Sequence, residues 1–160
     1  MARIIAYQST TPATDDLLLG TQKTTSGTNK TNPTKNFTVD SVVQAGLGYT
    51  VYTAVISQTG TSVPTVNKEL KNNTGATFTW LRMSAGVYRI QSSTPIFDQA
   101  NIKTIVFLNQ GNIQVSADPI FISYSVQSDT LIEINTWSAT TLNLADTGLQ
   151  LAPIEIRIYS

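Results

Sequence analysis

Two glutamates, Glu133 and Glu155, stand inside alternating apolar runs, while Asp118, Asp129 and Asp146 stand in turn-forming stretches. Paired carboxylates are the raw material of acid–base chemistry at a glycosidic bond, where one protonates the leaving oxygen and the other attacks or activates water. Here each glutamate falls on the outward alternation of an amphipathic strand, so a solvated strand face is the simpler reading. The turn aspartates fit positions where Asp bonds its own backbone. Asp15 and Asp16 are adjacent and end a turn after Pro12. Serine and threonine are plentiful, but the chain has no histidine, no cysteine and no Ser-x-x-Lys pair. A hydroxyl nucleophile is therefore left without its usual activating base.

The same absences remove the common zinc ligands, and no Asp-x-Asx-x-Asx-Gly loop suggests calcium. Gly46-Leu47-Gly48 lacks the third glycine and the following Lys-Ser/Thr of a phosphate loop; a hinge is the plainer reading. Trp80, Tyr88, Tyr124 and Trp137 could make a sugar-stacking platform, but each lies on or beside a strand, and Trp80 and Tyr88 share alternations with aliphatic residues. Core packing is the expectation for them. No catalytic, cofactor-binding or metal residue is assigned.

Only 12% of the 160 residues are charged, about half the usual share. Asn, Gln, Ser and Thr fill the polar positions instead, which suits pleated surfaces and surfaces covered by neighbours. Ten basic residues balance ten acidic ones. This argues against duplex nucleic acid, whose binding needs local positive charge. No disulfide is possible, and no run is long enough for a membrane span or a signal-peptide core. The expected site of synthesis is a cytoplasm, with no membrane partner.

Period two dominates the pattern. Tyr49–Ser57 is apolar on both alternations, as a central strand would be. Phe78 and Trp80 share a face, as do Tyr88 with Ile90, Ile132 with Ile134, and Ile120, Ile122, Tyr124 and Val126. Ile154-Glu155-Ile156-Arg157-Ile158 is a half-buried strand. Turn signals such as Asn72-Asn73-Thr74-Gly75 and Ser84-Ala85-Gly86 separate these runs. The spacing predicts an all-β fold, an antiparallel, jelly-roll-like β-sandwich over residues 47–160. A small module, residues 1–46, precedes it, with two strands, a polar loop and one short helix. That helix is expected over Ser41–Ala45, capped by Asp40 and stopped by Gly46.

Residues 20–36 carry no large apolar side chain, and a structureless loop of that length is usually functional or a contact arm. The small module cannot hold a core by itself. Leu17, Leu18, Leu19, Phe37 and Val39 are its candidate docking residues. Lys23, Lys30 and Lys35 are the charges that would steer it toward an acidic partner.

The stretches Asp15-Asp16-Leu17-Leu18-Leu19-Gly20-Thr21 and Thr34-Lys35-Asn36-Phe37-Thr38-Val39 resemble the N-terminal module of tailed-bacteriophage structural proteins. Ile56–Val66, Phe78–Arg82, Gly86–Arg89 and Pro153–Tyr159 resemble a β-domain of virion proteins from phages of Bacteroidetes, including marine and crAss-like phages. The resemblance implies a non-enzymatic virion protein, a short head fibre or a capsid decoration or anchor subunit. It implies a homotrimer whose partners are capsid, neck or tail subunits, and a location in the virion. The alternative is a tail-fibre or carbohydrate-binding module that meets a host-surface glycan.

Overall fold

The computed structural model describes residues 13–21, 34–98, 100, 103–109, 119–146 and 148–159. Its elements run β1 (Leu17–Thr21), β2 (Thr34–Thr38), α1 (Val39–Leu47), β3 (Tyr49–Ser57), β4 (Thr65–Asn72), β5 (Phe78–Ser84), β6 (Val87–Ser92), β7 (Thr104–Leu108), β8 (Ile120–Ser128), β9 (Leu131–Ser138) and β10 (Ala152–Tyr159). The chain divides after Gly48 into two compact units, Met1–Gly48 and Tyr49–Ser160.

The second unit is an all-β sandwich of two four-stranded antiparallel sheets, ordered β4-β3-β10-β7 and β5-β6-β9-β8. Its first and last strands, β3 and β10, pair over their whole length from Tyr49↔Tyr159 to Ile56↔Ala152. The next nested pair, β6 with β9, lies in the opposite sheet. This alternation of nested pairs between sheets is that of a rolled hairpin, the jelly-roll theme. The hairpins β3–β4 and β5–β6 add one outer strand to each sheet.

The core follows from the alternation. Tyr52, Ala54 and Ile56 of β3 and Ile154 and Ile156 of β10 are buried against Trp80, Tyr88, Ile90, Ile132 and Ile134 of the other sheet. Rings bridge the layers, with Tyr52 and Phe78 centred 4.1 Å apart and Phe97 packed beyond Phe78 at 6.2 Å. Each fully buried aliphatic or aromatic side chain here contributes roughly 1.5–3 kcal/mol. Val51 is buried on the opposite face from Tyr52, so β3 is covered on both sides at this point, as its two-sided apolar sequence predicts. Burial, and then the charge of Glu69, pushes the Tyr52 phenol up. Strand β4 is the reverse case. It is exposed along its length, carries Lys68 and Lys71, and meets β3 through two register shifts, which are the usual protections of a sheet edge.

The helix departs from its expected bounds. Thr38, not Asp40, is the N-cap: its backbone is extended and its hydroxyl oxygen accepts from the Ser41 amide at 3.1 Å. Asp40 instead lies in the first turn, where its charge suits the helix dipole. At the far end the helix runs through Gly46 and stops at Gly48, whose φ of +69° needs no Cβ. Val39 is therefore a helical residue, not the end of a strand.

Candidate functional site

In the first unit, β1 and β2 form a two-stranded antiparallel sheet with Leu17 opposite Thr38 and Leu19 opposite Asn36. The hairpin is tied to the helix by the Val39 amide, which donates to the Asp16 carbonyl at 2.9 Å, and the Asp40 amide, which donates to the Thr14 carbonyl at 3.0 Å. Asp16 also closes the preceding turn, its carboxylate accepting from the Ala13 amide at 2.8 Å. Period two puts Leu18, Gly20 and Phe37 on one face, and the Phe37 ring lies over Gly20 so closely that a Cβ there would meet it at 3.0 Å. Leu17 and Leu19 share the other face, where the residues opposite them are Thr38 and Asn36.

None of the described residues of this unit is buried. Leu17 is 62% and Leu19 77% exposed, and Leu18, Val42, Val43 and Leu47 are exposed as well. Phe37 and Val39 are half-buried, and Lys35 is exposed on β2. Lys23 and Lys30 lie outside the described residues. The described part of the unit, a two-stranded sheet with one nine-residue helix and no buried residue, does not hold together by burial. Its exposed apolar side chains find no covering surface among the described residues.

In the second unit the polar groups most deeply engaged surround Asp146. Its carboxylate accepts from Arg82 Nε at 2.9 Å and Nη2 at 2.5 Å, from the Gly86 amide at 3.0 Å and from the Tyr88 hydroxyl at 2.9 Å. The Arg82 guanidinium beside it is the largest influence holding its pKa down at about 2. Tyr88 is pushed up, by burial first and then by this hydrogen bond. Next to it the Thr136 hydroxyl donates to the Ala145 carbonyl at 2.6 Å, and the Ala145 amide donates back to the Thr136 carbonyl at 3.0 Å. These bonds fasten the β9–β10 connection to the β5–β6 hairpin. Sequence reading places Asp146 in an ordinary turn and does not find this cluster, because its donors lie some 60 residues upstream. A carboxylate that accepts four hydrogen bonds from three groups, three of them on Oδ1, is engaged as a fastener.

The two strand glutamates are outward, as expected, and each meets an arginine. Glu133 pairs with Arg89 at 3.2 Å and Glu155 with Arg157 at 2.5 Å. Arg157 also lies over two rings, 5.0 Å from the centre of Tyr49 and 4.8 Å from that of Phe107. Tyr159 packs on Tyr49 at 5.2 Å. Glu155 first, and then Tyr159, raises the Arg157 pKa. This outer face is an arginine closed between aromatic rings. No group of three or more potential metal ligands occurs among the described residues, and no helix of the described residues is long and apolar enough to cross a membrane.

The four aromatic candidates separate. Trp80 is 5% exposed and Tyr88 is fully buried, both in the core as expected. Trp137 and Tyr124 are not core residues. Trp137 is 38% exposed, on the outer face of β9, because Thr136 and Ser138 take the inward positions. Tyr124 has inward parity but lies on β8, a sheet edge, and stays exposed. No known protein family, no curated protein and no solved structure matches the chain.

Proposed function

We propose that this chain is a non-enzymatic structural subunit of a tailed-phage particle, a short head fibre or a capsid decoration or anchor protein. The first unit docks onto neighbouring subunits and the second unit is the β-sandwich that the particle displays. The observation that carries this reading is the first unit itself. It presents Leu17, Leu18 and Leu19 beside the valines of α1, and none of its described residues is buried. Such a segment gains its stability by burial against a partner, either a capsid, neck or tail subunit or further copies of the chain in a trimer. An ordinary specific interface removes about 800 Å² per partner from water.

The test is the double variant Leu17→Ser/Leu19→Ser in the full chain. Wild-type protein should scatter light as an oligomer at micromolar concentration. The variant should fall to a monomer, keep the melting transition of the sandwich and drop out of assembled particles. Wild-type protein that is a monodisperse monomer and resists protease across its first forty residues would overturn the reading. So would particles that incorporate the variant as well as wild type.

A further inference from the structure

On the outer face of the β5-β6-β9-β8 sheet, Trp137 is the register partner of Phe121 on the edge strand β8. Phe121 is 61% exposed. Leu144, bridged to Trp137 on its other side, continues the row. Two residues back along β9, about 7 Å away, Asn135 lies between Ser123 of β8 and Val87 of β6. The Asn135 amide and the Ser123 hydroxyl make no side-chain hydrogen bond among the described residues. One further row along are Glu133, Arg89 and Ser125, the first two closed into an ion pair. The surface thus joins two exposed rings to free amide and hydroxyl groups on a hydrogen-bonded sheet, and among the described residues the charges in these rows, Arg89 and Glu133, are paired.

We propose that this face, at Trp137 and Phe121, is a binding site for an uncharged carbohydrate chain, which stacks a pyranose ring on the aromatic pair and hydrogen-bonds to Asn135 and Ser123. A pyranose has the matching duality, a C–H-lined face for the rings and a rim of hydroxyls that donate and accept. The indole N–H of Trp137 adds a donor at the ring edge. The small apolar area among the described residues favours a sugar over a protein partner at this place. Fully buried aromatic side chains cover 150–250 Å² each, so these two at their observed exposure offer on the order of 200 Å². An ordinary protein interface buries ~800 Å² on each side, polar and apolar together, so a protein partner would need an apolar centre larger than these two rings. Of the other exposed apolar side chains of this sheet and its β9–β10 connection, Tyr124 has inward parity on β8, and Leu81 and Met83 lie on β5, two strands from β9 and so about 10 Å off. Leu142 stands in the β9–β10 connection, its amide on the Ser138 carbonyl. Leu81, Met83 and Tyr124 do not extend the patch; Leu142 adds one aliphatic side chain to it. Neutrality selects among sugars: among the described residues of these rows a sulfated or uronic-acid chain would find no free cation, since Arg89 is engaged by Glu133.

The experiment uses the full chain on a printed array of neutral and acidic oligosaccharides, followed by calorimetric titration with the best-bound neutral glycan. Wild type should bind neutral glycans. Trp137→Ala should weaken binding at least tenfold, and Phe121→Ser should weaken it several-fold. Leu81→Ser, at the other edge of the sheet, and Leu17→Ser/Leu19→Ser should leave it unchanged, so failure of the docking reading and of this one are told apart. Melting curves check that the variants fold, and Phe121→Ser decides if Trp137→Ala does not. The proposal is overturned by an array without signal, by binding confined to acidic glycans, or by unchanged affinity in the aromatic variants. A fall in oligomer mass on Trp137→Ala without any glycan signal would also overturn it, by showing that the rings meet another copy of the chain.

Discussion

Asp146 is the polar residue that most directly fastens the sandwich. Removing its carboxylate in Asp146→Ala strands three donors at once: the Arg82 guanidinium, the Gly86 amide and the Tyr88 hydroxyl. Breaking a buried pair from one side typically costs 3–5 kcal/mol. The Arg82 and Asp146 side chains are 19% and 14% exposed, so some water reaches the stranded cation and the lower end applies, about 3 kcal/mol. The pH dependence is a second readout. With a folded pKa of about 2 against 3.8 when free, the carboxylate is depressed. Its contribution is therefore complete above pH ~4 and is lost as pH falls from about 4 through about 2. Allowing for solvent screening, that contribution is about 1–2 kcal/mol. Urea unfolding followed by the fluorescence of buried Trp80, at pH 7 and at steps down to pH 2, measures both. Wild type should lose stability across that window, while Asp146→Asn, isosteric and uncharged, should start lower and show a shallower acid limb. A loss under 1 kcal/mol for Asp146→Ala, or an acid limb of the same depth in Asp146→Asn, would refute the fastening role.

Two further substitutions probe the same end of the sandwich. Gly86 has φ +66°, and a Cβ there would fall 2.5 Å from the Ala145 amide nitrogen and the Thr136 carbonyl oxygen, both backbone. Gly86→Ala should cost about 2–4 kcal/mol, read from urea midpoints, and a loss under 1 kcal/mol would mean the connection yields freely. Leu142 is exposed with φ +56°, a left-handed conformation that Asn tolerates and Leu does not. Leu142→Asn should therefore stabilise by about 0.5–1 kcal/mol, since the Leu142 amide keeps its bond to the Ser138 carbonyl at 2.9 Å. A lowered midpoint would show instead that the leucine side chain is needed where it stands.

What the sequence reveals of this fold is what a single strand can encode by itself. Alternation places Tyr88, Ile90, Ile132, Ile134, Ile154 and Ile156 inward because a half-buried strand repeats every second residue whatever its neighbours are. Strand β7 hides in five residues flanked by weak signals. Strand β4, Thr-Val-Asn-Lys-Glu-Leu-Lys-Asn, has no buried face, and its identity comes only from the β3 edge that it completes. The Asp146 cluster was illegible for the same reason, since hydrogen bonds that close across 58 to 64 residues leave no local pattern. Trp137 is the instructive intermediate. With Ile132 and Ile134 inward, residue 137 has outward parity by counting alone, yet a tryptophan among strands invites a core assignment. Tyr124 shows the converse, with correct parity but an edge position that only the sheet order reveals.

The register of the sandwich also fixes which end carries which surface. The chain joins the second unit at Tyr49, beside Tyr159. Tyr52, three residues on, packs against Phe78, which pairs with Ser92 at the end of β6. Strand β9 runs from Leu131, beside Gln91 at that same end, toward Ser138 at the other. Trp137, Phe121, Gly86 and Asp146 therefore gather at the end opposite Tyr49, a strand length of roughly 25 Å away. Left-handed Leu142 and the fastened β9–β10 connection lie at that far end too. An acidic fastener and a glycine that admits no side chain, concentrated at this end, anchor the β9–β10 connection that sets Leu144 beside Trp137. Preorganisation of this kind lowers the ordering cost of binding, so loosening the fastener with Asp146→Ala should weaken glycan binding even though Asp146 is not part of the aromatic face.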